Sequence, residues 1–107
     1  METLMRLLLV AGGLPEPLIG VPVPVGDGSI VLHPDLAYPD LRIAIEYEGD
    51  DHRDAGRWHR DIERRELFED AGWRVIRVTS RAVFHEPERL IARVRRACEA
   101  RRIPGAQ

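Results

Sequence analysis

Hydrophobic and polar positions divide this chain into short segments of two different periods. Residues 2–11 form a helical segment that Gly12-Gly13 ends, with Pro15 and Pro17 beyond the stop. Val21-Pro22-Val23-Pro24-Val25 alternates valine with residues that cannot donate to a ladder, a pattern only an edge strand tolerates. Gly26-Asp27-Gly28-Ser29 is a hairpin turn signal. A second strand from Ile30 to Ala37 puts Ile30, Leu32 and Leu36 on one face and Val31, His33, Asp35 and Ala37 on the other. After a turn at Tyr38-Pro39-Asp40, a third strand from Arg42 to Glu48 turns Ile43, Ile45 and Tyr47 one way and Ala44, Glu46 and Glu48 the other. Gly49 breaks it.

The second half changes period. From about Gly56 to Ala71 a helix is predicted, closed by Gly72, with Arg57, Arg60, Arg64, Leu67, Phe68 and Ala71 on one stripe. That stripe is apolar at its C-terminal half and basic at its N-terminal half. Trp73 to Val78 reads as a β-rich strand, and a helix followed by a strand here implies a parallel crossover. Ser80 caps a short turn with Val83 and Phe84. Pro87 opens a last helix that buries Leu90, Ile91, Val94, Ala97 and Cys98. The order αβββαβα predicts an α/β (α+β) fold with a central four-stranded mixed sheet flanked by helices. One domain over residues 1–107 is expected. The first helix has no capping residue before it, which suggests the C-terminal part of a longer ancestral protein.

Composition agrees with a globular chain. Of 107 residues 44% are hydrophobic and 32% charged, which argues against disorder. A single cysteine, Cys98, excludes an intrachain disulfide framework and any zinc site of several thiolates. The run Leu7 to Ala11 is too short to span a bilayer and lacks a basic flank before it, so a cytoplasmic protein is expected. The net charge of −2 hides an asymmetry: residues 1–50 carry two arginines against eight acids, residues 51–107 fourteen against ten. All sixteen basic residues are arginine. An acidic front and an arginine-rich back read either as a solvated surface or as two halves of one site, carboxylates for a cation and arginines for a polyanion.

The candidate chemistry lies at the end of the third strand, in Ile45-Glu46-Tyr47-Glu48-Gly49-Asp50-Asp51-His52. Glu46 and Glu48, two residues apart, share a face, and Asp35 of the neighbouring strand can lie beside them. Converging carboxylates repel one another unless water, a shared proton or a cation offsets the cost. Hard oxygen ligands suit Mg²⁺ or Mn²⁺, which can activate water and stabilise the leaving oxygen of a phosphodiester. Exposed acids on an amphipathic strand are the plainer alternative. His33, His59 and His85 have no metal-ligand spacing, Asp61 is expected to pair with Arg57, Arg64 or Arg65, and Arg93, Arg95 and Arg96 read as a solvated face that could also meet a phosphate backbone. Trp58 and Trp73 read as packing residues.

The ordered set Asp35, Glu46-Tyr47-Glu48-Gly49, His52, Arg60-Asp61, Arg64 and Ala71-Gly72-Trp73-Arg74-Val75 resembles the PD-(D/E)XK nuclease superfamily. Within it, the chain is most similar to the domain of unknown function related to very-short-patch-repair (Vsr) endonucleases, from Glu2 to about Ala97. That resemblance implies a restriction-endonuclease-like αβββαβ core and a metal-dependent DNA endonuclease or nickase acting in DNA repair or defence. It implies Asp35, Glu46 and Glu48 as metal ligands, with Mg²⁺ or Mn²⁺ as cofactor. It also implies catalytic parts for these three, for His52 as acid or base, and for Glu2 on the first helix. Glu48 stands where the superfamily carries a lysine, so Arg60 or Arg64 is left to supply positive charge and to clamp the nucleic acid. The expected partner is DNA, with a winged-helix segment fused or separate. The alternative is a nuclease-fold module that binds DNA or a partner protein without cutting.

Overall fold

A computed structural model describes residues 1–49 and 55–102, the side chains of residues 55–58 excepted. Its elements are helix α1 (Glu2–Ala11), strands β1 (Val23–Val25), β2 (Ile30–Leu32) and β3 (Leu36–Tyr38), a 3-10 turn (Pro39–Leu41), β4 (Ile43–Glu48), α2 (Ala55–Asp70), β5 (Arg74–Thr79), α3 (Ser80–Phe84) and α4 (Pro87–Arg102). Most boundaries fall within a residue or two of those the hydrophobic pattern predicts. The α+β class with mixed strand directions is as expected.

The sheet is not. In place of one four-stranded sheet there are two: an antiparallel hairpin, β1-β2, and a three-stranded sheet in the order β3-β4-β5. The predicted strand from Ile30 to Ala37 is broken at His33-Pro34, so that its first half belongs to the hairpin and its second half to the larger sheet. Pro34 has no N–H to give a ladder, and its ring restricts the residue before it. Period two runs through that proline undisturbed, which is why the pattern alone reads as one strand.

In the larger sheet β3 runs antiparallel to β4, with Leu36 opposite Ile45 and Tyr38 opposite Ile43. β4 and β5 are parallel, joined through α2, with Glu46 level with Arg77 and Glu48 with Thr79. One face of this sheet buries Leu36, Ile43, Ile45, Ile76 and Val78 against Met5 and Leu9 of α1 and Leu90, Val94 and Cys98 of α4. On the other face Ala44 and Val75 meet Phe68 of α2 together with Val23 and Val25 of the hairpin. Pro24, between those valines, points to solvent, so the alternation of valine and proline becomes one buried and one exposed edge-strand face. Two further details close helix ends. α2 ends on Gly72 at φ +87°, where the Trp73 N–H reaches back to the Phe68 carbonyl at 2.9 Å. Thr79 rather than Ser80 caps α3, its hydroxyl accepting the Ala82 N–H at 3.2 Å.

Candidate functional site

The face shared by α2 and the hairpin is where period two sends Glu46 and Glu48. One step beyond the Leu36–Ile45 pair, the antiparallel register brings Asp35 level with Glu46. The Asp35 carboxylate is also fixed to that strand, since Oδ2 accepts the Tyr47 backbone N–H at 2.7 Å. That bond holds Asp35 against Tyr47, the residue between Glu46 and Glu48.

Glu46 is 9% exposed and the charged residue buried most deeply among those described. A buried carboxylate needs a partner, and Arg64 of α2 supplies it. Arg64 donates from Nε to Glu46 Oε1 at 2.7 Å and from Nη2 to Oε2 at 3.2 Å, the two-pronged geometry of a guanidinium on a carboxylate. Nη2 also donates to the His33 carbonyl at 3.1 Å, beside the break in the predicted strand. The guanidinium lies 5.3 Å over the Phe68 ring, one helical turn along. Its pKa is raised by the Glu46 hydrogen bonds, lowered by burial, and raised again by the charges of Glu46, Asp35 and Asp61. Arg64 is thus a permanent cation at the centre of the acidic cluster.

Glu48, further along the strand, lies 3.6 Å from Arg77 Nη2, and the same nitrogen donates to Asp61 Oδ2 at 3.3 Å. Asp61 consequently bridges α2 to β5 and does not pair with Arg64 or Arg65 along its own helix. Arg77 is the residue the sequence pattern did not single out. The alternation Val75-Arg77-Thr79 puts it on the site face, but only the parallel register sets it beside Glu46.

The remaining expected residues lie apart from this cluster. Glu2 is exposed on α1, the helix packed on the opposite face of the sheet. Arg60 is exposed and makes no ion pair among the described residues. The apolar contact of α2 with the sheet is made by Phe68, with Leu67 beside it near the helix's C-terminal end, and Arg60 lies a turn beyond Arg64 away from that contact. His52 lies outside the described residues.

A divalent cation of the Mg²⁺ type demands several oxygens in near-octahedral array. Here Glu46 gives both oxygens to Arg64 and Asp35 gives one to the Tyr47 amide. No three Asp, Glu, His or Cys side chains converge among the described residues. As they stand, these carboxylates do not fit such an ion. What they do form is an alternating array of carboxylate and guanidinium, Asp35 and Glu46 with Arg64, Glu48 and Asp61 with Arg77.

Residues 24–98 match the family described as REase_MTES_1575, a restriction-endonuclease-like family. Two curated proteins of Mycobacterium tuberculosis are 34% identical over 106 residues. They are the uncharacterized protein MT2308 of strain CDC 1551 / Oshkosh and the uncharacterized protein Rv2248 of strain H37Rv. The match covers 98% of this chain but 39% of theirs, so the chain spans well under half the length of the relatives it matches. No solved structure is a significant match to it.

Proposed function

The chain belongs to the restriction-endonuclease-like family REase_MTES_1575, and from that nuclease-related kinship we propose a DNA endonuclease or nickase that hydrolyses phosphodiester bonds. The observation that carries the reading is Glu46 bound by the Arg64 guanidinium, with Asp35 held on the adjacent Tyr47 amide and its charge acting on the same guanidinium. A phosphodiester accepts the same planar fork of donors as a carboxylate. Substrate arriving at this face therefore competes with Glu46 for Arg64, and taking that arginine frees a buried carboxylate beside Asp35. Arg64 and the exposed Arg60 hold the strand, while Glu48 and His52 position the attacking water and one of them takes its proton. Mg²⁺ or Mn²⁺ is the cofactor proposed for the carboxylates once Arg64 has left Glu46, since with that pair closed they do not fit such an ion. The finer kinship with the PD-(D/E)XK and Vsr nucleases is supported by the order Asp35, Glu46-Tyr47-Glu48-Gly49 and Trp73.

A second reading, a nuclease-fold module that binds DNA without cutting it, draws support from the Glu46–Arg64 pair itself and from Glu48 in place of a lysine. Supercoiled plasmid separates the two. Relaxation expected with Mg²⁺ or Mn²⁺ should vanish with chelator and in both Asp35→Ala and Glu46→Ala. Relaxation surviving in both variants, after contaminating nuclease is removed, overturns the assignment. Salt-sensitive DNA retention with no relaxation under any condition selects the second reading.

A further inference from the structure

β5 is an edge strand: in the order β3-β4-β5 nothing among the described residues pairs with its outer side. An open edge is ordinarily a hazard, and this one is bordered by arginines drawn from three elements. A cleft of about 460 Å³ lies along it, between β5, α3 and α4, lined by Arg77, Arg89, Arg93 and Arg96 with Glu86 as the one acid. That acid is already shared between Arg81 and Arg89, at 3.6 Å from each. Arg93 donates to the Arg77 carbonyl at 3.0 Å, a neutral acceptor. Arg74 and Arg96 have no acidic partner among the described residues. Arg77 keeps a buried Nε with no acceptor, although its Nη2 meets Asp61 and Glu48.

The charges are close enough to oppose one another. Burial and the neighbouring Arg74, Arg65 and Arg96 all push the Arg93 pKa down from its usual value. Gathering like charges costs free energy that a polyanion would offset. The cleft also leads somewhere: Arg77 lines a second hollow of about 300 Å³ with Glu48, Asp61, Ile62 and Arg65. One arginine thus joins the carboxylate array to the basic cleft.

We propose that this edge is a phosphate-binding seam in which Arg77, Arg93 and Arg96, flanked by Arg65, Arg74 and Arg89, hold the backbone of a nucleic acid that passes on to the Glu46–Glu48 face. The proposal deepens the reading of that face and rests on its nucleic-acid partner, but not on catalysis. Each arginine that neutralises a phosphate releases counterions, so the seam has a salt signature.

The test is anisotropy of a labelled DNA duplex titrated with the domain at several salt concentrations. Arg93→Gln/Arg96→Gln should weaken binding roughly tenfold and flatten the logarithmic salt slope by about 2, near 0.9 for each lost contact. Arg96→Glu alone, a change on an exposed position of α4, should weaken binding in the same sense with an unchanged melt. Arg95→Gln, on the same helix but outside the cleft, should leave the slope intact. Duplex affinity and slope unchanged in both seam variants overturn the proposal, and self-association appearing in their place assigns these arginines to guarding the edge. A wild-type domain that binds no duplex overturns it too, as does inorganic phosphate matching the duplex in thermal stabilisation at equal phosphate concentration. Plasmid relaxation persisting while the seam variants bind normally rejects the seam and leaves the nuclease standing. Seam-dependent binding without relaxation does the reverse.

Discussion

Arg64 is the residue on which the site turns. It ties a helix to two carboxylate oxygens 18 positions away and to a backbone carbonyl 31 positions away. Hydrogen bonds to charged groups contribute about 1.5–3 kcal/mol, so Arg64→Met should cost that much or somewhat more, because it strands the Glu46 carboxylate in a buried place. Arg64→Met/Glu46→Gln should recover part of the loss. A urea double-mutant cycle measures the coupling, and additive single effects would show that the pair contributes nothing beyond its separate parts. Tyr38 gives a second prediction. Its hydroxyl donates to the Pro15 carbonyl at 2.7 Å, and burial pushes its pKa well above the ordinary value. A phenol whose folded pKa exceeds its unfolded one contributes stability that is fully present below about pH 10 and is lost as pH rises past it, while the unfolded chain ionises. The alkaline fall in melting temperature should be shallower in Tyr38→Phe.

At the scale of elements, α1 and α4 meet closely at Gly12. A Cβ built there would stand 2.7 Å from Ile91 Cγ2 and 2.8 Å from its Cδ1, and Arg95 donates to the Gly12 carbonyl. Gly12→Ala should therefore destabilise by about 1–3 kcal/mol, the usual cost of overpacking, and Ile91→Ala in the same chain should relieve it. A thermal melt of the three variants decides; a neutral Gly12→Ala would mean that α4 shifts freely against α1. The elements also show what a pattern of residues can and cannot convey. Gly12-Gly13 and the valines around Pro24 mark their helix and edge strand locally, and Glu46 and Glu48 share a face because a strand has no other choice. Asp35 comes level with Glu46 because the turn through Pro39–Leu41 keeps the register short-range. The break at Pro34 was hidden because an apolar residue at every second position continues across it. Arg77 was hidden because its neighbours are set by a parallel crossover spanning the whole of α2. Arg60 and Arg64, one turn apart on one stripe, separate because Arg64 stands a turn nearer Phe68, where α2 meets the sheet.

Over the whole molecule, the sheet stands between two different coverings. α1 and α4 bury an apolar face, while α2 and the hairpin cover a face that is apolar at one end and ionic at the other. The uneven charge of the sequence becomes spatial in the same way. Three acids of the first half, Asp35, Glu46 and Glu48, lie on or beside β4, where Arg64 of α2 and Arg77 of β5 meet them, and the arginines of α4 border the far side of β5. A near-neutral chain thereby presents a concentrated positive edge, and its association with polyanions should depend on that edge more than on net charge.

The strand order has a consequence in time. β4, with ladder partners on both sides, is expected to release its amides only when the molecule opens as a whole, and α2 and the two-stranded hairpin to open in smaller excursions. Glu46 and Glu48 are thus expected on the part that opens last and Arg64 on one that opens sooner. Amide hydrogen exchange should show Ile43–Tyr47 protected to the global limit and residues of α2 exchanging earlier. The acid would then wait in place while its arginine comes and goes.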